Sequence, residues 1–390
     1  MRLNSSQSFN FLPVPTDIHF GCGMLNTLPD RLKSLGGKRP FLVTDPGLRA
    51  AGMVERIETL LASAGLPLVV FDGVKPDSGS DLIMEAASRL RACNADAVVG
   101  IGGGSSLDTA KAVAAMGTNS GSILDYAGLH KIVNRPLPMV AIPTTAGTGS
   151  EVTLWSVFTD DGKKIKAAAG SVLLFPSVAL CDPELTYELP AALTAATGMD
   201  ALGHAVECFT NDACQAISAA LALEAIGLIG RYLRTAVMNG RDRTARYAMM
   251  LASTMAGIAM NPTRLGLAHA LAMPLGSWGF RVPHGAAIAI TLPVVMAFNH
   301  LAQPERYVEV ARALGEAVDQ LPVREGAARS FAAVRRLSQD IGIPAGLREF
   351  GLREEHIDAI TAEAIKSGNV AVNPRRASVE DLRRILQEAL

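Results

Sequence analysis

Asp200 and His204 stand four residues apart in the stretch Thr194–Glu207, T-A-A-T-G-M-D-A-L-G-H-A-V-E. On a helix that spacing brings a carboxylate and an imidazole to one face, which is half of a divalent-metal site. The plainer alternative is a pair that faces solvent or bonds to itself. The neighbours Ala195, Ala196, Met199, Ala201, Leu202, Ala205 and Val206 leave almost no polar face, so the two side chains need a partner. Two more histidines are isolated in similar surroundings, His269 in Gly266-Leu-Ala-His-Ala-Leu-Ala and His284 in the turn Val282-Pro-His-Gly285. A lone histidine on an apolar helix is ordinarily a satisfied core residue. Here three of them and one aspartate fall in the most apolar part of the chain, giving one carboxylate and three neutral imidazoles. That set suits Fe²⁺ or Zn²⁺. His19, His130, His300 and His356 lie near turns or polar helix surfaces and are left out.

A second chemistry is written earlier in the chain. Gly102-Gly-Gly-Ser-Ser-Leu-Asp-Thr-Ala-Lys111 follows a β-type run and opens a helix. Glycines at 102, 103 and 104 let backbone approach a ligand closely, and the helix start offers amides to phosphate. The usual dinucleotide fingerprint is not met, because its third glycine would fall on Leu107. Asp125 lies near the spacing expected of a ribose-binding acid but without a convincing strand before it. Asp45, ending a strand at V-T-D-P-G, is the better candidate. Its carboxylate could accept from a ribose hydroxyl and would repel a 2′-phosphate; a plain Asp-Pro-Gly turn is the alternative. The loop Pro143-Thr-Thr-Ala-Gly-Thr-Gly-Ser-Glu151 carries Thr144, Thr145 and Thr148 among glycines, suited to a sugar–phosphate ligand and also to an ordinary loop.

The elements that position these residues divide the chain. Strand-like runs at Pro40–Thr44, Leu68–Phe71, Ala97–Ile101 and Pro138–Ile142 alternate with helical spacing over Val54–Ala64, Asp81–Cys93 and Ser106–Met116. That alternation predicts a parallel sheet covered by helices. From Thr194, read as a helix cap, the pattern is helical throughout. Helices are predicted over Ala195–Phe209, Ala216–Val237, Thr244–Met260, Thr263–Ala272, Gly285–His300, Pro304–Ala317, Gly326–Asp340 and His356–Ile365. The reading is therefore an α/β dinucleotide-binding domain over 1–188 and an all-helical metal-binding and catalytic domain over 189–390.

Composition agrees. The 390 residues are 49% hydrophobic and 19% charged, enough for two well-packed domains and unlike a disordered chain. A net charge of -1 gives no footprint for nucleic acid or an anionic membrane. Met1–Phe11 lacks the apolar segment of a signal peptide, and the longest apolar run, Gly285–Phe298, is short for a bilayer. Five cysteines without C-x-x-C spacing read as reduced thiols, which points to the cytoplasm. Cys208 is read as a buried bystander.

Taken together, VTDPG, GGGSSLDTAK, PTTAGTGSE, DPEL, TAATGMDALGHAVE, GLAHALAMPLG and PHG resemble the iron-containing (group III) alcohol dehydrogenase family, in the family's order and over nearly the whole chain. The resemblance implies the dehydroquinate synthase-like, two-domain architecture with the active site between the domains. It implies metal ligation by Asp200, His204, His269 and His284. It implies dinucleotide contacts from Gly103, Gly104, Ser105 and Asp108, from Thr144, Thr145 and Thr148, and from Lys166 beside the nicotinamide ribose, with Asp45 setting NAD preference. It further implies a homodimer. One position departs: the family often carries a second histidine four residues after the one matching His269, thought to pass the alcohol proton outward, and here it is Met273. The expected activity is reversible, metal-dependent hydride transfer between NAD(H) and a small alcohol or its aldehyde or ketone. Rivals are a metal- and NAD-dependent lyase or cyclase of related fold, a reductase of a small oxo-acid, and a non-catalytic nucleotide-binding protein. Trp155, Phe158, Trp278 and Phe280 are the pocket residues expected from proximity in sequence.

Overall fold

The structure is a computed structural model and describes residue 9, residues 11–276 and residues 282–390. Trp278 and Phe280 therefore lie outside the described residues. Two compact units are present. One holds residues 14–145 and 149–187; the other holds the described residues up to 13, residues 146–148 and the chain from 188 onward.

The first unit runs β1 (Asp17–Phe20), α1 (Leu28–Ser34), β2 (Pro40–Val43), α2 (Pro46–Ala50), α3 (Met53–Ser63), β3 (Val69–Phe71), α4 (Ser80–Ala92), β4 (Ala97–Gly102) and α5 (Gly104–Met116). It continues with β5 (Gly128–Leu129), β6 (Met139–Pro143), β7 (Trp155–Asp160), β8 (Ile165–Gly170) and β9 (Val178–Cys181). Six strands form a parallel sheet in the order β1-β9-β6-β4-β2-β3. Every residue of β2, β4 and β6 is buried, as expected of strands covered on both faces. The two-residue period sorts their side chains. Phe41, Val43, Val98, Met139 and Ala141 face the layer of α4 and α5, while Leu42, Val99, Ile101, Val140 and Ile142 face that of α1 and α3. After β2 the chain goes to β3 on one side and then to β4 on the other. The β2–β4 junction is thus the topological switch point, where open α/β sheets bind ligands beyond their strand ends.

Five strands, β1, β5, β7, β8 and β9, were not predicted. β1 and β9 are four residues each and pair with one another at the sheet's far side. β7 and β8 form an antiparallel hairpin whose turn contains Lys163 and Lys164. Of the expected pocket residues here, Phe158 belongs to the core cluster, and Trp155 packs over Gly170 across the hairpin. Asp125 closes a capping box with Ser122.

The second unit contains α6 (Ala191–Thr210), α7 (Ala216–Met238), α8 (Arg243–Thr263), α9 (Leu267–Leu275), α10 (His284–Asn299), α11 (Pro304–Ala313), α12 (Val323–Asp340), α13 (Ile357–Ala364) and α14 (Val379–Glu388). α6 is its central element, packed by α7, α8 and α10 and buried at every position from Gly198 to Thr210. Thr194 does not cap it. The helix begins at Ala191 after Pro190, and the Thr194 hydroxyl accepts from the buried Arg246 guanidinium at 2.8 Å. α8 and α9 are separated by Arg264, whose φ of 61° ends α8, so α9 starts four residues later than the periodicity predicts. α7 is long and apolar enough by length and composition to cross a membrane, yet it lies against α6 and α8 and carries Glu224, Arg231 and Arg234.

Candidate active site

α6 presents Asp200 and His204 from one face, α9 contributes His269, and His284 is the first residue of α10. The structure brings all four together on one atom. The Nε2 atoms of His204, His269 and His284 lie 3.9, 3.6 and 3.5 Å from Asp200 Oδ1. Asp200, His269 and His284 each offer a ligand atom within 4.8 Å of the others. The rings of His204 and His269 stack, with centroids 4.6 Å apart.

These separations exceed hydrogen-bond length. They approach the ligand–ligand edge of about 3.4 Å that a tetrahedral ion with ~2.1 Å bonds requires. Asp200 Oδ1 and His269 Nε2 are moreover buried with no hydrogen-bond partner, an arrangement that costs stability unless a cation completes it. One carboxylate and three imidazoles fit a divalent transition metal.

Outer contacts aim the rings. His204 Nδ1 donates to the Gly147 carbonyl at 3.3 Å, and His269 Nδ1 donates to Glu207 at 2.6 Å. Burial pushes the Asp200 carboxyl up, but the three surrounding imidazoles outweigh it and hold the group well below the usual carboxylate range. Burial dominates at His204, which falls to about 4. Burial also opposes charge on His269, but Glu207 and Asp200 overcome it and raise that ring to about 9. Glu207 was not singled out in sequence, although it stands three residues after His204 on the same helix face. A Cβ at Gly198 on the same helix would strike Leu233 and Met249, so this glycine serves packing against α7 and α8.

At the switch point, Gly102 has φ of 144°, and a Cβ there would fall 2.5 Å from Ser106 Oγ. Gly103 takes the capping position of α5 with no side-chain cap, leaving the helix start open. Gly104 and Ser105 form its first turn, and Thr144 N–H donates to Gly102 O at 3.0 Å, which sets the two loops side by side. Asp45 caps α2 by accepting from Leu48 N at 3.1 Å, while its Oδ2 accepts from Ser106 Oγ at 3.3 Å. Lys166 on β8 is paired with Asp77. Thr145 belongs to the sheet unit and Thr148 to the helical one.

Asp108 is turned inward. It accepts from Ser150 Oγ at 2.5 Å and from Val157 N at 2.9 Å, tying α5 to the end of the threonine loop and to β7. Burial raises its pKa, with Lys111 pulling the other way. Lys111 passed unnoticed in sequence, since lysines are rarely interior. Its Nζ donates to the Trp155 carbonyl at 2.7 Å and Thr153 Oγ1 at 3.0 Å, and burial lowers its pKa to about 8. The unfolded chain holds that proton to 10.5, so between about 8 and 10.5 it binds more protons than the native state. Native stability should therefore rise with pH through that window. Relative to Lys111→Met, the wild type should gain on the order of 3 kcal/mol, read by urea denaturation at the two ends. An unchanged difference would mean that Lys111 is not buried as a cation.

With this geometry in place, comparison with known proteins is decisive. The family model for iron-containing alcohol dehydrogenase matches residues 15–183, and that for the C-terminal region of the Fe-containing alcohol dehydrogenase family matches residues 194–390. The chain belongs to the iron-containing alcohol dehydrogenase family. It is 39% identical over 381 residues to the NAD-dependent methanol dehydrogenase of Bacillus methanolicus, covering 98% of this chain and 100% of that one. It is 40% identical over 387 residues to the 1,3-propanediol dehydrogenase of Citrobacter freundii, covering 99% and 100%. The crystal structure of a 1,3-propanediol oxidoreductase superposes with a TM-score of 0.95 at 39% identity, over 98% of this chain and 100% of that one. Like other iron-containing alcohol dehydrogenases, the chain pairs a parallel-sheet α/β unit with a helical one.

Proposed function

We propose that this iron-containing alcohol dehydrogenase interconverts a small alcohol and its aldehyde or ketone with NAD(H). The observation that carries the reading is the convergence of three imidazole Nε2 atoms on the unpartnered Asp200 Oδ1. Asp200, His204, His269 and His284 would hold the cation. Both Fe²⁺ and Zn²⁺ accept this donor set, and family membership favours Fe²⁺. When bound, the cation supplies Lewis acidity toward an alcohol oxygen and the nicotinamide supplies the hydride acceptor.

The chain's own residues bind and orient. Gly102, Gly103 and Gly104 let backbone approach the pyrophosphate, and the uncapped start of α5 directs amides at it. The Asp45 carboxylate meets a ribose hydroxyl and disfavours a 2′-phosphate. Thr144, Thr145 and Thr148 offer hydroxyls, and Lys166 an ammonium steadied by Asp77. Asp108 acts one step back, by fixing the loop that carries the threonines. The five free thiols support a reducing, cytoplasmic setting, and the family resemblance supports a homodimer.

Met273 lies one turn beyond His269 on α9. A thioether cannot titrate, so the alcohol proton leaves by water, the cofactor ribose or another side chain. The test is NADH formation by Fe²⁺-loaded protein over a panel of small primary and secondary alcohols, beside Met273→His. NADH should appear only with metal present, and the substitution should change the alkaline limb of the rate profile. Full activity after metal removal would defeat the assignment, and an unchanged profile would defeat the relay argument.

A further inference from the structure

We propose that Glu207 is a positioning residue for His269. It sets which ring nitrogen carries the proton and thereby the metal affinity of the quartet, an inference that rests on the metal reading above. Glu207 follows His204 by three residues on α6, and its side chain is 4% exposed. It receives three hydrogen bonds, from Gly266 N at 2.8 Å, Ala268 N at 2.7 Å and His269 Nδ1 at 2.6 Å. The first two are amides at the start of α9, whose capping residue Gly266 has no side chain to satisfy them. A Cβ at Gly266 would lie 2.8 Å from Glu207 Oε1, so the glycine admits the carboxylate. Glu207 thus caps α9 from another helix and orients the ring on the same turn.

All three partners donate, and a carboxylate only accepts. The neutral His269 ring, the form that ligates a cation, must then carry its proton on Nδ1, which leaves the Nε2 lone pair on the side of Asp200 Oδ1, 3.6 Å away. Behind Glu207 lies a small chamber lined also by Thr210, Asn211, Asn299, Tyr307 and Asn373. Among the described residues no lysine or arginine lines it, so none of them draws the carboxylate from the imidazole. An amide in place of Glu207 would aim its NH₂ at one of the three donors. The least costly relief is to reverse the ring's tautomer, placing a proton on Nε2 where a cation must bind.

The experiment uses the full-length chain, stripped of metal and titrated with Zn²⁺ against a chromophoric chelator. In parallel, ¹⁵N NMR of labelled histidine at alkaline pH reports the tautomer of His269. Loss of an outer partner of a ligating histidine costs roughly 10- to 100-fold in metal affinity, and Glu207→Gln should fall in that range while shifting the His269 signals from the Nδ1–H pattern. Glu207→Asp keeps a carboxylate and should restore the Nδ1–H pattern with part of the affinity, which a purely structural loss would not do. Wild-type affinity in Glu207→Gln, or an Nε2–H ring in the wild type, overturns the proposal. If Glu207→Gln does not fold, Glu207→Asp decides: an Nε2–H ring there overturns it equally. If the wild type itself takes up no Zn²⁺, the metal reading beneath the proposal is what has failed.

Discussion

His269→Ala should remove metal and dehydrogenase activity together, and should cost the metal-free fold more than His284→Ala. A protein zinc site supplies roughly 10–16 kcal/mol across four ligands, so one ligand is worth about 3 kcal/mol, or roughly two orders of magnitude in affinity. That much applies to either histidine. The two differ in what they leave behind. His284 has a side chain 35% exposed, whereas that of His269 is 4% exposed and is bonded to Glu207 at 2.6 Å. Truncating His269 removes a hydrogen bond to the buried Glu207 carboxylate as well as a ligand position, and a hydrogen bond to a charged group contributes about 1.5–3 kcal/mol, although Gly266 N–H still satisfies the same oxygen. Elemental analysis after metal reconstitution reads the first effect, and urea denaturation of the metal-free proteins reads the second. A His269→Ala protein that retains stoichiometric metal and turns over alcohol would remove the quartet from the mechanism. Equal stabilities for the two variants would show that Glu207 does not depend on the ring.

Much of this site was legible because its residues contradict their surroundings. Asp200, His204 and His269 are polar groups in helices otherwise built for burial, and burial of unpaired polar groups demands a reason. Glu207 lies on the same apolar helix but was not singled out, because its partners are distant in sequence: only the arrival of α9 supplies its three donors. The sheet followed the same logic. β2, β4 and β6 are continuous apolar runs and were placed within a residue or two. β1 reads Asp-Ile-His-Phe and is stabilised by its pairing with β9 rather than by its own pattern. α14, with Glu380, Asp381, Arg383 and Arg384 around Leu382, Ile385 and Leu386, shows a narrow apolar stripe that its charges obscure. Asp45 was weighed as either a turn residue or a ribose acceptor. One of its oxygens caps α2 while the other faces the glycine turn, so the first reading does not exclude the second.

A close approach of two helices at a glycine gives the other large effect. Gly285→Ala should destabilise the protein by about 3 kcal/mol, at the upper end of ordinary overpacking, and should weaken Zn²⁺ binding as well. A methyl at Gly285 would sit 2.1 Å from the Ala196 carbonyl oxygen and 2.6 Å from its carbon. Both are backbone atoms of α6, so no rotamer change can yield; α10 must move away. Gly285 adjoins His284, and Ala196 lies one turn before Asp200, so the displacement falls directly on the 3.5 Å separation of His284 Nε2 and Asp200 Oδ1. Gly198→Ala is the informative control. Its new methyl would meet Leu233 Cδ1 at 2.3 Å, the mobile end of a side chain that can rotate, and alanine favours a helix interior by about 1 kcal/mol. That variant should stay within about 1.5 kcal/mol of the wild type and keep its metal affinity. Thermal unfolding and Zn²⁺ competition separate the two. If Gly285→Ala binds Zn²⁺ as tightly as Gly198→Ala does, the α6–α10 contact packs the helices without setting the spacing of the ligands.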